Sequence, residues 1–243
     1  MYSFYNNDVI YKSRVNISEI LRVFIPLSYS FVASFYENSV YYFDFNNSNE
    51  LKSLKEHNKS IYSLIKLSSN RLASGSVDGM IKIWSDASST SLLTINAYDN
   101  TMIISMLEIP DQKMLIVSGN TEVIKVFHSE NGSSLFDLEG HTSSVPTIEL
   151  INDKRLISCS FDKSIRLWDL NKKACDVMIK DVFNLPRFIF QLPNNSIYGI
   201  YYKGTWEQLS VFDNLSTIEK EKRIIISEKD GVVTLNLKGL SLL

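Results

Sequence analysis

Histidine, serine and aspartate, the side chains of a hydrolase triad, occur twice in this sequence at identical spacing, each time with a tryptophan. The two sets are His57, Ser74, Asp78, Trp84 and His141, Ser158, Asp162, Trp168. Every member of the first set is equally far along the chain from its counterpart in the second. A nucleophilic serine must be exposed beside an oxyanion hole, whereas these serines lie in apolar strand patterns. The duplication therefore predicts that these two sets, called the two tetrads below, belong to a repeated structural unit and are not catalytic sites.

The sequence carries no other motif with recognisable chemistry. A metal site needs converging His, Cys or carboxylate ligands, but two of the three histidines belong to the tetrads and no C-x-x-C motif exists. Glycine-rich nucleotide loops and the G-x-S-x-G motif are missing as well. We therefore expect no catalytic residue, no metal, no cofactor and no small-molecule substrate, and we predict that the protein is not an enzyme.

Short alternating strands must position the two tetrads. Met80–Trp84 and Ser164–Trp168 alternate with period two, and Val77-Asp78-Gly79 supplies a tight turn. In the repeat around the first tetrad, we predict strands at 60–67, 71–76 and 80–84 and an outer strand near 92–95. Val123–Phe127 and Ser39–Phe43 are weaker copies of the same pattern.

The repeat length identifies the architecture. The aromatic anchors Phe43, Trp84, Phe127 and Trp168 recur at nearly equal intervals along the chain. Each interval falls within the period of about 40–45 residues, with four strands per unit, that is typical of a β-propeller blade. The sequence thus predicts an all-β fold, a β-propeller of four-stranded blades.

The two ends of the chain are less regular. A fifth blade is predicted from strands at 186–192, 196–202 and 208–212, and a sixth from 223–227 and 231–237. Asn236 takes the anchor position of the sixth blade, but it follows Trp168 by less than two such periods, so one unit is short. Val9–Lys12 is placed to clasp the last blade as its outer strand, which would remove a free sheet edge. We expect about six blades, the closing one irregular or incomplete, in a single domain over 1–243.

Composition limits the partners and the compartment. The net charge of −2 gives no electrostatic case for nucleic acid or an anionic membrane. The chain contains two cysteines and an N-terminus without signal-peptide character. It has no apolar run that approaches the length of about 18 residues expected of a transmembrane helix. We expect an intracellular protein, cytoplasmic or nuclear, with nucleic acid unlikely as a partner and no membrane association.

Three segments carry a family resemblance: Gly140-His141, Ser158–Asp162 and Ile165–Asp169. With them the chain resembles the WD-repeat (WD40) family of β-propellers. The resemblance is close over 56–86 and 139–170, moderate over 29–45 and 97–128, and weak beyond 175. It implies that the His, Ser, Asp and Trp of each good repeat form an internal hydrogen-bond chain. The third repeat departs from the pattern, with Tyr98 near the His position and Thr121 at the Asp position.

The resemblance also implies a docking surface on the loops at one face of the propeller. The candidate residues there are Tyr36, Lys59, Tyr62, Tyr98, Phe161, Lys163, Phe183 and Arg187. Phe161 is the best single candidate, because the second repeat has the smaller Val77 at the matching position. Aromatic residues and arginine are enriched at binding hot spots.

We therefore predict a non-enzymatic intracellular protein-interaction scaffold, a subunit of a larger multiprotein complex that binds partner peptides or proteins on the loop face. Two alternatives stay open. One is an open propeller completed by a partner's β-strand, as in coat or pore-type scaffolds. The other is a ribosome- or RNA-associated propeller.

Overall fold

Antiparallel β-strands dominate the computed structural model of this protein. It describes residues 2–6, 9–13, 21–26, 30–35, 38–44, 50–85, 90–152, 154–179, 188–191, 197–200, 206–208, 224–229 and 232–237, with side chains at 38–41, 53–85, 90–151 and 154–178. The chain divides into two compact units, Met1–Ile103 and Ile104–Leu243. The predicted single-domain arrangement over 1–243 stays a prediction.

The first unit holds a hairpin and two four-stranded sheets. The hairpin pairs β1 (Tyr2–Asn6) with β2 (Val9–Ser13). Sheet 1 contains β3 (Leu21–Pro26), β4 (Ser30–Phe35), β5 (Ser39–Asp44) and β6 (Glu50–Lys55). Sheet 2 contains β7 (Ile61–Lys66), β8 (Leu72–Ser76), β9 (Met80–Trp84) and β10 (Leu93–Asn96). In both sheets each strand pairs with its neighbours in the chain.

The second unit continues the same meander. Sheet 3 contains β11 (Ile103–Ile109), β12 (Met114–Gly119), β13 (Ile124–His128) and β14 (Ser134–Leu138), with a short 3-10 turn at Pro110–Gln112. Sheet 4 contains β15 (Thr147–Asn152), β16 (Arg155–Ser160), β17 (Ser164–Asp169) and β18 (Ala174–Ile179). Two smaller sheets follow: β19 (Phe188–Gln191), β20 (Ile197–Ile200) and β21 (Trp206–Gln208), then β22 (Ile224–Lys229) and β23 (Val232–Leu237).

The two middle strands of sheet 2, β8 and β9, are buried on both faces. Their alternating sequences alone do not indicate this. All five residues of β8 are buried, and so are four of the five in β9. Side chains point alternately to the two sides of a strand, so neither side of these strands faces solvent. The charged Lys82 in the middle of β9 is only 9% exposed.

The core lies between consecutive sheets. In the first unit a buried cluster joins Val40 and Leu54 of sheet 1 to Trp84 of sheet 2. In the second unit a matching cluster joins Ile116 and Val126 of sheet 3 to Trp168 of sheet 4. Each tryptophan thus packs against the preceding sheet of its own unit. Burying side chains of this size contributes about 1.5–3 kcal/mol apiece.

The predicted succession of four-stranded sheets is confirmed, with strand ends within two residues of the predictions in sheet 2. The third strand predicted for the fifth sheet differs more. That strand is Trp206–Gln208, which pairs with Tyr198–Ile200. Residues 209–212 of the predicted strand lie outside the described part of the chain.

The N-terminal strands form a two-stranded hairpin. β2, which contains the residues Val9–Lys12 of the predicted clasp, pairs with β1, with Asn6 opposite Val9. The predicted pairing of Val9–Lys12 with the last blade stays a prediction.

Helical structure is scarce where the structure describes the chain. No helix there is long and apolar enough to cross a membrane.

Candidate functional site

The first tetrad connects the loop before sheet 2 to two strands of that sheet. Ser74 lies on β8, Trp84 ends β9, Asp78 is in the turn between them, and His57 precedes β7. Trp84 Nε1 donates a hydrogen bond to Ser74 Oγ at 2.8 Å. The same oxygen lies 2.8 Å from His57 Nε2. The other ring nitrogen, His57 Nδ1, lies 3.0 Å from Asp78 Oδ2.

The second tetrad repeats this arrangement in sheet 4. Trp168 Nε1 donates to Ser158 Oγ at 2.7 Å, and that oxygen lies 2.8 Å from His141 Nε2. His141 Nδ1 lies 2.8 Å from Asp162 Oδ2. Each histidine ring also meets the tryptophan ring of its own set edge to face, with centroids 6.4 Å apart in the first tetrad and 5.9 Å in the second. The structure thus brings together all eight residues predicted to form the two tetrads.

The donors and acceptors assign the proton positions in each tetrad. An indole N–H can only donate, so the serine oxygen accepts from tryptophan and its own O–H donates to the histidine Nε2. The histidine Nδ1–H then donates to the carboxylate in both tetrads, and the ring of His141 is neutral. Burial lowers the pKa of His141, and Asp162 offsets this only in part, which agrees with the neutral ring.

Both aspartates are ionised at neutral pH. Burial alone raises the pKa of Asp78, but hydrogen bonds from His57 and from two backbone N–H groups outweigh burial and bring the pKa to about 2. Burial likewise raises the pKa of Asp162, but hydrogen bonds from Ser164, from His141 and from a backbone N–H place it below the usual range. Each carboxylate therefore holds its histidine and the adjoining loop through charge-assisted hydrogen bonds.

The serine hydroxyls are not placed for nucleophilic catalysis. Ser74 and Ser158 are both fully buried. Each oxygen already accepts an indole N–H, and each O–H is directed at a histidine nitrogen. A substrate carbonyl cannot approach such an oxygen, so the geometry is that of an internal brace.

Sheet 3 has apolar residues where the other two sheets have tetrad members. The strand register places Leu115 opposite Phe127 and Val117 opposite Lys125, as Leu72 faces Trp84 and Ser74 faces Lys82 in sheet 2. Val117 therefore occupies the serine position and Phe127 the tryptophan position. Thr121, at the aspartate position, accepts a local hydrogen bond from the backbone N–H of Val123, at 3.5 Å.

A charged network in sheet 2 was not among the predicted residues. Glu56 accepts hydrogen bonds from Lys82 Nζ at 3.3 Å and from the backbone N–H and hydroxyl of Ser91. The hydrogen bond from the Ser91 hydroxyl is the main reason that the pKa of Glu56 lies below its ordinary value. Lys82 Nζ also donates to Thr94 Oγ1 at 3.1 Å. The network ties the residue after β6 to strands β9 and β10 of sheet 2.

Sheet 4 has a different pair of residues at the positions that Glu56 and Lys82 occupy in sheet 2. Gly140 and Arg166 correspond to Glu56 and Lys82, because the offset that relates the two tetrads relates these residues as well. Arg166 Nη2 donates to the carbonyl oxygen of Gly140 at 2.7 Å, and its guanidinium carbon lies 5.8 Å from the centroid of the Trp168 ring. The sequence contained a signal for this interaction. The constant offset between the two tetrads aligns Glu56 and Lys82 with Gly140 and Arg166.

Equivalent hydrogen bonds hold the turn after the second strand in sheets 2 and 4. In sheet 2 the Val77 N–H donates to Ser60 O at 2.9 Å and Ser76 Oγ donates to Lys59 O at 2.9 Å. In sheet 4 the Phe161 N–H donates to Ser144 O at 2.9 Å and Ser160 Oγ donates to Ser143 O at 3.1 Å. The same backbone frame therefore presents valine in one sheet and phenylalanine in the other.

The predicted docking residues divide into three groups. Phe161 is 59% exposed, and Lys59 and Lys163 are exposed as well, while Tyr62 is half-buried. The structure corrects the prediction that Tyr98 is a docking residue. Only 6% of this residue is exposed, so it is not available to a partner. Its backbone N–H donates to Gly79 O, which holds this segment against the turn of sheet 2. Tyr36, Phe183 and Arg187 lie outside the described residues.

Comparison with known proteins identifies the repeat. The family model "WD domain, G-beta repeat" matches residues 48–85 and 132–169. Protein tipD of Dictyostelium discoideum is 32% identical over 120 residues, which are 49% of this chain and 19% of that protein. SIR4-interacting protein SIF2 of Saccharomyces cerevisiae is 27% identical over 132 residues, 54% of this chain and 24% of that protein.

A solved structure supports the fold. The crystal structure of the WD40 beta propeller domain of Doa1 superposes with a TM-score of 0.63 at 19% identity, covering 76% of this chain and 61% of that one. At this identity the likeness concerns the fold alone. The chain corresponds to about a fifth of the length of tipD and a quarter of that of SIF2.

Proposed function

This chain belongs to the WD-repeat family of β-propeller proteins, and from that premise we propose that it is a non-enzymatic protein-interaction scaffold. It would act as a subunit of a larger assembly and bind partner peptides or proteins through the loop platform of sheet 4. We define this platform as residues 142–146 and 160–163.

The exposure of Phe161 is the observation that carries the proposal. At 59% exposed, it is the most exposed large apolar side chain in the described residues. A phenylalanine in water loses the free energy that burial would give it, about 1.5–3 kcal/mol. Covering it with a partner would recover part of that free energy, as at the aromatic anchors of protein interfaces.

The frame beneath Phe161 supports the proposal as well. The Asp162 N–H donates to Ser160 Oγ at 3.0 Å, and the Thr142 N–H donates to Asp162 Oδ2 at 3.0 Å. The tetrad carboxylate thereby joins the loop before sheet 4 to the turn that carries Phe161. A surface held in this way loses little conformational entropy on binding.

A relative adds support of a general kind. SIF2 is described by its name as interacting with SIR4, so protein binding is a property of at least one protein to which this chain is similar. The open-propeller and RNA-associated alternatives stay predictions.

Comparative affinity capture tests the proposal. The full chain, tagged, is compared with Phe161→Ala in cell extract by quantitative mass spectrometry. We expect Phe161→Ala to lose at least one partner that the unchanged chain captures. Leu92→Ala is the matched control, because Leu92 is 54% exposed but lies beside the outer strand of sheet 2. An unchanged set of partners with folded Phe161→Ala would overturn the proposal.

A further inference from the structure

Consecutive turns in the second unit carry opposite charges. The β12–β13 turn of sheet 3 presents Glu122, and the β16–β17 turn of sheet 4 presents Lys163. Both side chains are exposed, and neither forms an ion pair with a described residue. They occupy the same place in their turns, the third residue after the second strand of the sheet. Exposed charges without partners are available to complementary charges on another molecule.

A line of hydrogen bonds joins these two turns. The Val145 N–H donates to Gly119 O at 2.9 Å, and Ser144 Oγ donates to the side-chain oxygen of Asn120. The backbone of the same Ser144 accepts the N–H of Phe161. The surface therefore runs from the Asn120–Glu122 turn, through the loop platform, to Phe161 and Lys163. Along this line of hydrogen bonds the acidic residue Glu122 comes first, the exposed Phe161 next and the basic residue Lys163 last.

From this arrangement we infer that the platform binds an extended peptide whose side chains are a base, a large apolar residue and an acid, in that order along the surface. The base contacts Glu122, the apolar side chain packs on Phe161, and the acid contacts Lys163. This inference rests on the proposed function and specifies the partner's chemistry. A uniformly acidic or basic segment would meet a like charge at one end of the surface, and like charges brought together destabilise a complex.

Short peptides measure this selectivity directly. Fluorescein-labelled nonapeptides in a Gly-Ser background carry a central Leu flanked by one Lys and one Glu, by two Glu or by two Lys. The mixed peptide is made in both orders, because an extended chain can lie on the surface in either direction. Fluorescence anisotropy with the full chain at low salt should show the mixed peptide binding about tenfold tighter than the other two. The difference should shrink as salt is added, because exposed charges are screened.

Charge-reversing variants test which side chains cause the selectivity. Glu122→Lys should come to prefer the acidic peptide, and Lys163→Glu should come to prefer the basic one. Phe161→Ala should bind all three at least about tenfold more weakly. Glu139→Lys is the matched control, because Glu139 is exposed but follows the outer strand β14, and it should keep the original order. Circular dichroism establishes that each variant is folded.

The inference is overturned if the unchanged chain binds the three peptides equally or binds none of them. It is also overturned if reversing the charge at 122 or 163 leaves the order of preference unchanged. Affinity capture separates this failure from that of the proposed function. If Phe161→Ala loses partners but the unchanged chain shows no peptide selectivity, the scaffold role is retained. Only the proposed order of charges in the peptide is then rejected.

Discussion

Sheets 3 and 4 follow one another in the chain and share the same strand order, yet they fill equivalent interior positions with opposite chemistry. Sheet 4 has Ser158 and Trp168 joined by a hydrogen bond, whereas sheet 3 has Val117 and Phe127. All four side chains are buried, none more than 4% exposed. A four-stranded sheet of this kind therefore forms with either a polar brace or an apolar filling.

The replacements in sheet 3 occur together, and the physical reason is the cost of an unpaired buried group. A serine without its histidine and tryptophan would hold a buried hydroxyl with too few partners, which costs about 1–3 kcal/mol. A tryptophan without the serine would leave its N–H unpaired. Replacing both by apolar groups avoids each penalty. In sheet 4 the polar brace adds hydrogen bonds between the turn and the preceding loop, because Asp162 accepts from His141 and from the Thr142 N–H.

The largest effect is expected from removing the central oxygen of the sheet 4 brace. Ser158→Ala leaves the Trp168 N–H and His141 Nε2 buried without their partner. At about 1–3 kcal/mol for each of the two orphaned groups, the free energy of unfolding should fall by about 2–6 kcal/mol. Urea denaturation of the full chain measures the change. A loss below about 1 kcal/mol would mean that the brace contributes little beyond what an apolar filling gives.

A smaller loss is expected from Asp162→Asn, together with a change in pH dependence. Hydrogen bonds to a charged group contribute about 1.5–3 kcal/mol, so the variant should lose about that much at neutral pH.

The pH dependence follows from the pKa shifts of the brace. The folded-state pKa values of His141 and Asp162 lie below the ordinary values of 6.5 and 3.8. The unfolded chain therefore binds more protons, and stability present above those values is lost as the pH falls through them. Urea midpoints between pH 7 and pH 3 should decline for the unchanged chain, and less steeply for Asp162→Asn below about pH 4. Parallel plots of urea midpoint against pH for the two proteins would contradict the assignment of the low-pH loss of stability to Asp162.

A polar atom placed in the apolar interior of sheet 3 tests the comparison between sheets 3 and 4 in the reverse direction. Val117→Thr preserves the shape but places a hydroxyl at the serine position of a sheet whose tetrad positions hold neither histidine nor tryptophan. We expect a loss of about 1–3 kcal/mol in the free energy of unfolding. Val177→Thr, at an outer-strand valine that is 36% exposed, is the matched control and should change little. Equal losses at both positions would show that the effect does not come from burial.

The smallest effect is expected at Ser118, on β12. Its hydroxyl oxygen is buried and has no hydrogen-bond partner among the described residues. Ser118→Ala should therefore alter the free energy of unfolding by less than about 0.5 kcal/mol or raise it. The pair Ser118→Ala and Ser158→Ala removes the same atom from two buried strands, so their difference measures the value of the brace. A loss at Ser118 as large as that at Ser158 would remove that interpretation.

Much of the fold and of the two braces was predictable from the sequence, because both depend on local pattern. Period-two alternation and tight-turn residues located the strands of sheet 2 and one strand in each of sheets 3 and 4. The equal spacing of His57, Ser74, Asp78 and Trp84 with the second set predicted contacts that the structure shows as hydrogen bonds. Such spacing is informative because a repeated unit places the same offsets at the same points in space.

The misassignment of Tyr98 arose because its burial depends on a chain segment outside its own loop. Tyr98 was predicted to be a docking residue from its place in a loop, but the segment folds back on the Gly79 turn. The backbone of Gly79 has φ +81°, and a Cβ there would clash with Tyr98 O. Neither the close approach nor the burial of Tyr98 can be derived from a window of neighbouring residues.

The sequence by itself determined the repeat length, the strands and the identity of the tetrad members, since these follow from side-chain type and spacing. Only the tertiary structure decided which polar groups are buried and that Glu56 and Lys82 link the segment after β6 to strands β9 and β10. It also decided that Phe161 alone among the turn residues compared is strongly exposed and apolar. The physical reason is that exposure and pairing depend on what adjacent sheets place against a residue. In a repeat protein the same local pattern meets different neighbours in each unit.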